Sequence, residues 1–253
     1  MPDVPDIHRR DPGTGRVHDP EAHAAAVRGM FTRISGVYDR MNHLLSLNLD
    51  HRWRRRVAAR LDPATRDLLD LCAGTGDLGL ASVHAGRAER VVAVDFVPAM
   101  LGGIAGKTGS AQVAPVAGDG LRLPLRDASV DAAVAGFGVR NLADPVAGMR
   151  EVRRVLRPGG QLIVLEFFRA DPAAHGAARG PAGPVRWGLG TLIPAVGRLV
   201  ARDHDAYRYL PGSMDRFLSV RQFADLLRDV GFERIVTERM TLGVAHLVGG
   251  RRR

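Results

Sequence analysis

Read for periodicity, the chain opens with a helical pattern. Between Glu21 and Leu61, the residues Val27, Met30, Phe31 and Ile34 recur at i, i+3, i+4 and i+7, the apolar stripe of an amphipathic helix. Trp53, Val57 and Leu61 share one face of a second helix, and Pro63 then interrupts the run. Beyond it, short apolar runs alternate with helical ones. Strands are expected at Asp67–Cys72, Arg90–Asp95, Gln112–Ala117, Val130–Gly136 and Gln161–Phe168, the last entered through a Pro158-Gly159-Gly160 turn. Helices are expected at Asp77–Ala85, Pro98–Gly106 and Pro145–Leu156. Proline suits the first turn at 98, where a missing N–H costs no hydrogen bond. Strands alternating with helices imply βαβ units and a mainly parallel sheet.

The C-terminal third changes character. Residues 170–206 are rich in Pro, Gly and Ala and show no strand pattern, so they read as a helical insertion, with helix around Val185–Val200. Val220–Val230 is an amphipathic helix closed by Gly231, which tolerates the left-handed backbone that ends helices. Phe232–Arg239 and Thr241–Val248 follow each other almost without a linker, so they are expected to pair as an antiparallel hairpin. Residues 1–20 are polar and charged, with interspersed Pro and Gly, and read as a disordered tail. That leaves residues 21–253 as one domain, with 21–61 as an N-terminal helical lid.

Composition narrows the classes. With 45% hydrophobic residues and only 5% aromatic ones, the core is expected to be aliphatic. The single Cys72 excludes a disulfide framework and any multi-cysteine metal site, and is expected to be a small buried apolar residue. Nine histidines are scattered without the pairing of a metal site, so no metal is expected. No stretch approaches the roughly 20 apolar residues of a membrane span, and the N-terminus lacks the apolar core of a signal peptide. The chain is therefore expected to be cytoplasmic, either soluble or peripheral at a membrane. A net charge of +9 admits nucleic acid, anionic lipid or an acidic substrate. Its short basic clusters, Arg52–Arg56 and Arg251–Arg253, lack the aromatic interleaving of single-strand binders, so no nucleic acid is expected.

Candidate chemistry begins at Asp70-Leu-Cys-Ala-Gly-Thr-Gly-Asp77, which follows a strand and opens a helix. Gly74, Thr75 and Gly76 form a loop whose glycines permit positive φ and close backbone approach to a ligand. Gly74-Thr-Gly-Asp-Leu-Gly79 also satisfies the dinucleotide pattern G-x-G-x-x-G, and Asp95, about twenty residues on, suits the ribose hydroxyls of either a nicotinamide dinucleotide or S-adenosylmethionine. Asp77 weighs against the dinucleotide, because a carboxylate at the helix N-terminus repels a pyrophosphate there. An acidic loop suits the cationic sulfonium of S-adenosylmethionine, although Asp77 could equally serve as a helix cap. Asp119 and Gly120, in a Gly-Asp-Gly turn after the third strand, are placed to meet the adenine amine. Together with the C-terminal hairpin, these features favour a Rossmann-like class I methyltransferase with a seven-stranded sheet.

Tyr38-Asp-Arg-Met-Asn-His-Leu-Leu-Ser46, followed by Trp53, resembles the signature of the UbiE/MenG family of quinone-biosynthesis C-methyltransferases. Arg154–Glu166, Phe137-Gly-Val-Arg-Asn141, Tyr207-Arg-Tyr-Leu-Pro211 and Leu242–Gly250 are similar to further segments of that family, so the resemblance spans residues 27–250. It implies S-adenosylmethionine-dependent methylation of a ring carbon on a prenylated naphthoquinol or benzoquinol. By the same resemblance, Arg140 orients and stabilises the acceptor oxyanion or a bound water, Asn141 orients the quinol oxygen, and Tyr38 completes a relay. The insertion at 170–206 would then cover the acceptor pocket. A prenylated acceptor implies contact with an anionic membrane surface, for which the net charge and Met30, Phe31 and Ile34 are candidates; a homodimer is also open. Three positions depart from the family pattern: Asp50 in place of a frequent His, Gly136 in place of a serine, and Phe168 in place of a small polar residue. His51, His204 and His246 are candidate bases by residue type alone, and Trp53 and Met41 read as core or pocket wall. Glu166 either faces the pocket or pairs with an arginine.

Overall fold

A computed structural model of the protein describes residues 10–107, 112–171, 173–176, 209 and 212–253. The expected insertion at 170–206 lies mostly outside the described residues, as do residues 1–9. Seven strands form one sheet: β1 (Asp67–Leu71), β2 (Arg90–Asp95), β3 (Val113–Ala117), β4 (Val130–Gly136), β5 (Leu156–Glu166), β6 (Phe232–Met240) and β7 (Ala245–Arg252). Their order is β3-β2-β1-β4-β5-β7-β6. The first five are mutually parallel, whereas β7 inserts between β5 and β6 and runs antiparallel to both. Seven strands, mainly parallel, with an antiparallel hairpin at the C-terminus, is the expected architecture.

Alternation along each strand divides the core into two layers. Leu69 and Leu71, Ala133 and Ala135, and Leu162 and Val164 face one layer; Leu68, Ala132 and Val134, and Ile163 and Leu165 face the other. Successive strand side chains point to opposite faces, so a strand buried on both sides is apolar at every position. The first layer is covered by α6 (Pro145–Val155) and α7 (Val220–Val230). The second is covered by α3 (Leu49–Arg60), α4 (Asp77–His84) and α5 (Pro98–Ala105). Asp144 caps α6 through Ala147 N, and Ser219 and Gln222 form a reciprocal capping box on α7.

Some boundaries differ from the sequence reading. The helical stretch before Leu61 is divided into α1 (Pro20–Ile34), a 3₁₀ turn (Ser35–Val37), α2 (Tyr38–Leu45) and α3. Leu47 and Asn48 break it with positive φ (51° and 60°), in a turn that no glycine or proline marks. The Pro158–Gly160 segment does not precede its strand. Val130 pairs with Leu156 and Ala132 with Gln161, so the extra residues bulge inside β5. Residues 10–19, expected as part of a disordered tail, instead pack on the body of the protein. Val17 is buried, and Arg10 and Val17 form a bridge. Short-range polarity misleads here, because the partners of these residues are main-chain carbonyls far along the chain.

Candidate active site

At the C-terminal edge of the sheet, β1 leads away toward β2 on one side and β4 toward β5 on the other. Such a switch in strand order leaves a crevice between the two departing loops. A cleft of about 270 Å³ opens there. Cys72, just after β1, and Phe137, just after β4, both hold left-handed backbone, at φ 53° and 59°. The two loops touch so closely that a Cβ on Gly138 would lie 2.2 Å from Cys72 Cβ. Only glycine fits at 138. Burial, assisted by Asp95 and Glu166, pushes the Cys72 thiol well above its ordinary range, so it is an inert wall residue rather than a nucleophile.

One side of the cleft is acidic and glycine-lined. Asp95, at the end of β2, accepts from Gly74 N and Val97 N, each at 2.8 Å, and thereby braces the glycine loop. Burial raises its carboxyl above the usual range against those hydrogen bonds. Gly74 turns with φ 56° into the space beside Met100 and Tyr38. Asp119 accepts from Leu121 N at 2.9 Å, which fixes the turn that brings Asp119 and Gly120 to the same cleft. Thr75 and Gly76 lie behind the lining: Thr75 Oγ1 donates to Asp39 at 2.5 Å, and a Cβ on Gly76 would come within 2.8 Å of Ile104. Asp77 also turns away, paired with Lys107 (2.6 Å) and Arg54 (3.2 Å). Arg54 of α3 and Lys107, just past α5, also pair with Asp50 and Asp39, and Asp77 does not line the cleft, so the expectation that it meets a cationic ligand there is corrected.

The cleft is also lined by Asn141 and by Tyr38, the latter beside Gly74. Asn141 lines the cleft and accepts at Oδ1 from the Tyr209 hydroxyl, 3.0 Å away. Arg140 is buried immediately behind it. Its guanidinium donates to Glu166 (2.7 Å), to Ser213 Oγ (3.2 Å) and to the Phe137 carbonyl. Burial opposes that charge, but Glu166 and the phenols of Tyr209 and Tyr38 outweigh it and hold the guanidinium firmly protonated. Tyr38, half-buried, packs edge-on to Phe31 at 5.8 Å. Burial pushes the phenols of both Tyr38 and Tyr209 up, while the Arg140 cation pulls each down. Glu166 therefore pairs with an arginine and does not face the cleft.

The remaining candidates resolve as follows. Gly136 lines the cleft, where a Cβ would press on Leu78 at 3.2 Å. Asp50 is buried, accepting from His43 (2.8 Å), Ser46 (2.6 Å) and Arg54. Phe168 packs with Phe217 and Phe223 in the core. Trp53 and Met41 are core residues, and Trp53 Nε1 donates to Thr241. His51 is exposed and stacks on His43; the two come within 4.8 Å of each other and of Asp50 at their polar atoms, closer than scattered histidines were expected to be. His246 is buried on β7 opposite Glu166, and His204 lies outside the described residues. Sequence reasoning missed Ser213 and the polar contact of Tyr209, although Tyr209 stood inside a segment singled out at 207–211.

The model of the ubiE/COQ5 methyltransferase family matches residues 19–251. The chain belongs to that family. It is 36% identical over 242 residues to the ubiquinone/menaquinone biosynthesis C-methyltransferase UbiE of Caulobacter sp. (strain K31), covering 92% of this chain and 94% of the relative. It is 38% identical over 240 residues to the demethylmenaquinone methyltransferase of Deinococcus radiodurans, covering 94% and 97%. Among solved structures, a possible histamine N-methyltransferase from Thermotoga maritima matches with a TM-score of 0.62 at 18% identity, covering 89% and 99%, which is a likeness of fold. The ubiE/COQ5 member described here is thus an S-adenosylmethionine-dependent methyltransferase. The dinucleotide reading of its glycine loop falls away. Its cleft fits the cofactor: the Gly74 backbone, the Asp95 carboxylate and the Asp119 turn converge from three strand ends, and among the described residues no basic side chain lines that side to receive a phosphate.

Proposed function

We propose that the enzyme C-methylates a reduced, prenylated quinone ring, a demethylmenaquinol or a 2-polyprenyl-6-methoxy-benzoquinol, in quinone biosynthesis. The observation that carries this reading is the Asn141 corner of the cleft, backed by the buried Arg140 and set among the apolar residues Val27, Phe31, Phe137 and Leu142. Gly74, Asp95, Asp119 and Gly120 would hold S-adenosylmethionine, which supplies an electrophilic methyl carbon on its sulfonium. Ring carbon is a weak nucleophile until the neighbouring hydroxyl gains phenolate character. Arg140 supplies a permanent cation for that purpose; its field lowers the phenol pKa of Tyr38 and Tyr209, although burial raises both by more. Because the Tyr209 hydroxyl donates to Asn141 Oδ1, the Asn141 amide N–H groups are left to orient an acceptor oxygen. Tyr38 passes the released proton outward, and the apolar walls exclude water that would compete for the methyl.

Such an acceptor is anchored in a bilayer, and among the described residues no helix is long and apolar enough to cross one. Met30 and Ile34 are buried and Phe31 lines the cleft, so they are not the docking face. Among the described residues the exposed large apolar side chains are Leu44, Leu47, Leu242 and, on β6, Val236; Leu47 and Leu242 sit on tight turns. Arg40 shares the outer face of α2 with Leu44, and Arg52 and Arg55 lie on the next helix; among the described residues none of the three has a carboxylate partner. Apolar tips beside unpaired cations suit an anionic membrane surface.

Labelled S-adenosylmethionine with demethylmenaquinol in anionic liposomes tests the reading. Label on a ring carbon, faster with the quinol than the quinone, is expected. Label on oxygen, or equal rates with the oxidised ring, would sink it. Leu47→Asp combined with Leu242→Asp should slow the liposome reaction and spare a short-tailed soluble analogue.

A further inference from the structure

Four consecutive carbonyls of the turn after β4 are bonded by one short stretch near the N-terminus. Arg10 donates from Nη2 to Arg140 O at 2.6 Å and from Nη1 to Leu142 O at 3.2 Å. His23 Nε2 lies 3.0 Å from Asn141 O and 3.4 Å from Arg10 Nη2; the shorter contact is to a carbonyl, which only accepts, so Nε2 donates there. Val17 N donates to Ala143 O at 2.9 Å. Arg16 then pairs at 2.8 Å with Asp144, the residue that caps α6. The stretch is itself folded back, with Arg10 Nη1 also on Gly15 O at 2.5 Å and Asp11 N on Arg16 O at 2.8 Å.

The turn needs such support. Residues Val139–Asn141 form a single 3₁₀ turn, stabilised internally by Asn141 N to Gly138 O and Leu142 N to Val139 O. A lone 3₁₀ turn has poor hydrogen-bond geometry and leaves its own carbonyls unpaired, and buried carbonyls require partners. Partial burial lowers the Arg10 pKa to about 10, yet it stays charged at neutral pH. Charged donors make the stronger hydrogen bonds. The family model begins at residue 19, so Arg10 and Val17 lie ahead of it.

We propose that Arg10 and His23 are positioning residues for methyl transfer: they strap the main chain of residues 140–142 so that the Asn141 amide stays aimed into the cleft. The inference rests on the reading that Asn141 orients the acceptor. It makes the segment ahead of α1 part of the catalytic apparatus, without any of its residues touching the acceptor.

The test measures kcat, acceptor KM, cofactor Kd and Tm in Arg10→Ala, Arg10→Lys, His23→Ala, His23→Gln and Asn141→Ala. Arg10→Ala is expected to lower kcat about tenfold or more, the scale on which small misplacements act, with cofactor Kd within about twofold of wild type. Arg10→Lys should recover only part of the rate, because one ammonium cannot span two carbonyls. His23→Gln should recover more than His23→Ala, since the amide restores an N–H donor. Wild-type kcat in Arg10→Ala, with Asn141→Ala impaired, overturns the strap. A parallel fall of kcat, cofactor affinity and Tm in Arg10→Ala, unrelieved in Arg10→Lys, also overturns it, because that is the signature of a general brace. Wild-type turnover in Asn141→Ala instead overturns the underlying reading of the cleft.

Discussion

Arg140 Nη1 and Glu166 Oε1 meet at 2.7 Å in a buried pair that ties the turn after β4 to the end of β5. Glu166 also accepts from Arg140 N at 3.2 Å and Phe167 N at 2.8 Å, so the carboxylate is saturated by the turn it anchors. The guanidinium is used as a fork: Nη1 donates to both Glu166 and the Phe137 carbonyl, and Nε donates to Ser213 Oγ.

A fork cannot be replaced by a point charge. Arg140→Lys is expected to lower kcat at least about tenfold while leaving cofactor affinity within about twofold. Glu166→Ala strands the cation and should cost about 3–5 kcal/mol of stability, as breaking a buried pair does. Steady-state kinetics, calorimetric titration and denaturant unfolding check the three quantities. Unchanged turnover in Arg140→Lys would leave the pair as a core fastening only.

Asp95 braces the glycine loop through Gly74 N and Val97 N while lining the cleft. Asp95→Ala should weaken S-adenosylmethionine binding by about 1.5–3 kcal/mol, the range for hydrogen bonds to an ionised group. NADH should not bind either form. Calorimetry with both ligands decides, and an unaltered S-adenosylmethionine affinity would remove Asp95 from the site.

Asp70 sits at the end of β1 with 1% exposure; among the described residues it accepts only from Gly79 N, and its Oδ1 has no hydrogen-bond partner. Burial raises its pKa from 3.8 to about 7, with Asp95 and Asp77 adding to the rise. A carboxyl with a raised folded pKa favours the fold in its neutral form. That contribution is complete below the unfolded value and is lost as pH climbs from about 4 through 7. Every tenfold gain in proton affinity on folding corresponds to about 1.4 kcal/mol. Asp70→Asn keeps the acceptor for Gly79 and removes the ionisation, so it should raise Tm more at pH 8 than at pH 5. Equal changes in Tm at both pH values would mean that Asp70 stays ionised throughout.

The sheet and the acidic, glycine-lined side of the cleft were legible because they rest on local rules. Two-residue alternation, glycines at 74 and 76, and acidic residues at strand ends are all written within a few positions of one another. The strap at residues 10–23 was not legible: its donors are ordinary polar residues, and its acceptors are backbone atoms more than a hundred positions away. Nor was the fate of Asp77, which Arg54 of α3 and Lys107, just past α5, engage away from the cleft lining. Leu47 and Asn48 hid a turn inside an apparently continuous helix, since neither is an obligate breaker. Arg140 and Glu166 were both visible as candidates, but only the parallel pairing of β4 with β5 brings them together.

The adjacency of β1 and β4 has a kinetic consequence. Leu71 pairs with Ala135, and Cys72 abuts Gly138, so the two loops that flank the cleft become neighbours only when strands distant in the chain have docked. Non-local parallel pairing of this kind forms late, after its loop-closure entropy has been met. S-adenosylmethionine should therefore find no partial site on a half-folded chain. Its presence would slow unfolding and leave the refolding rate unchanged, because the interactions it adds are absent from the transition state.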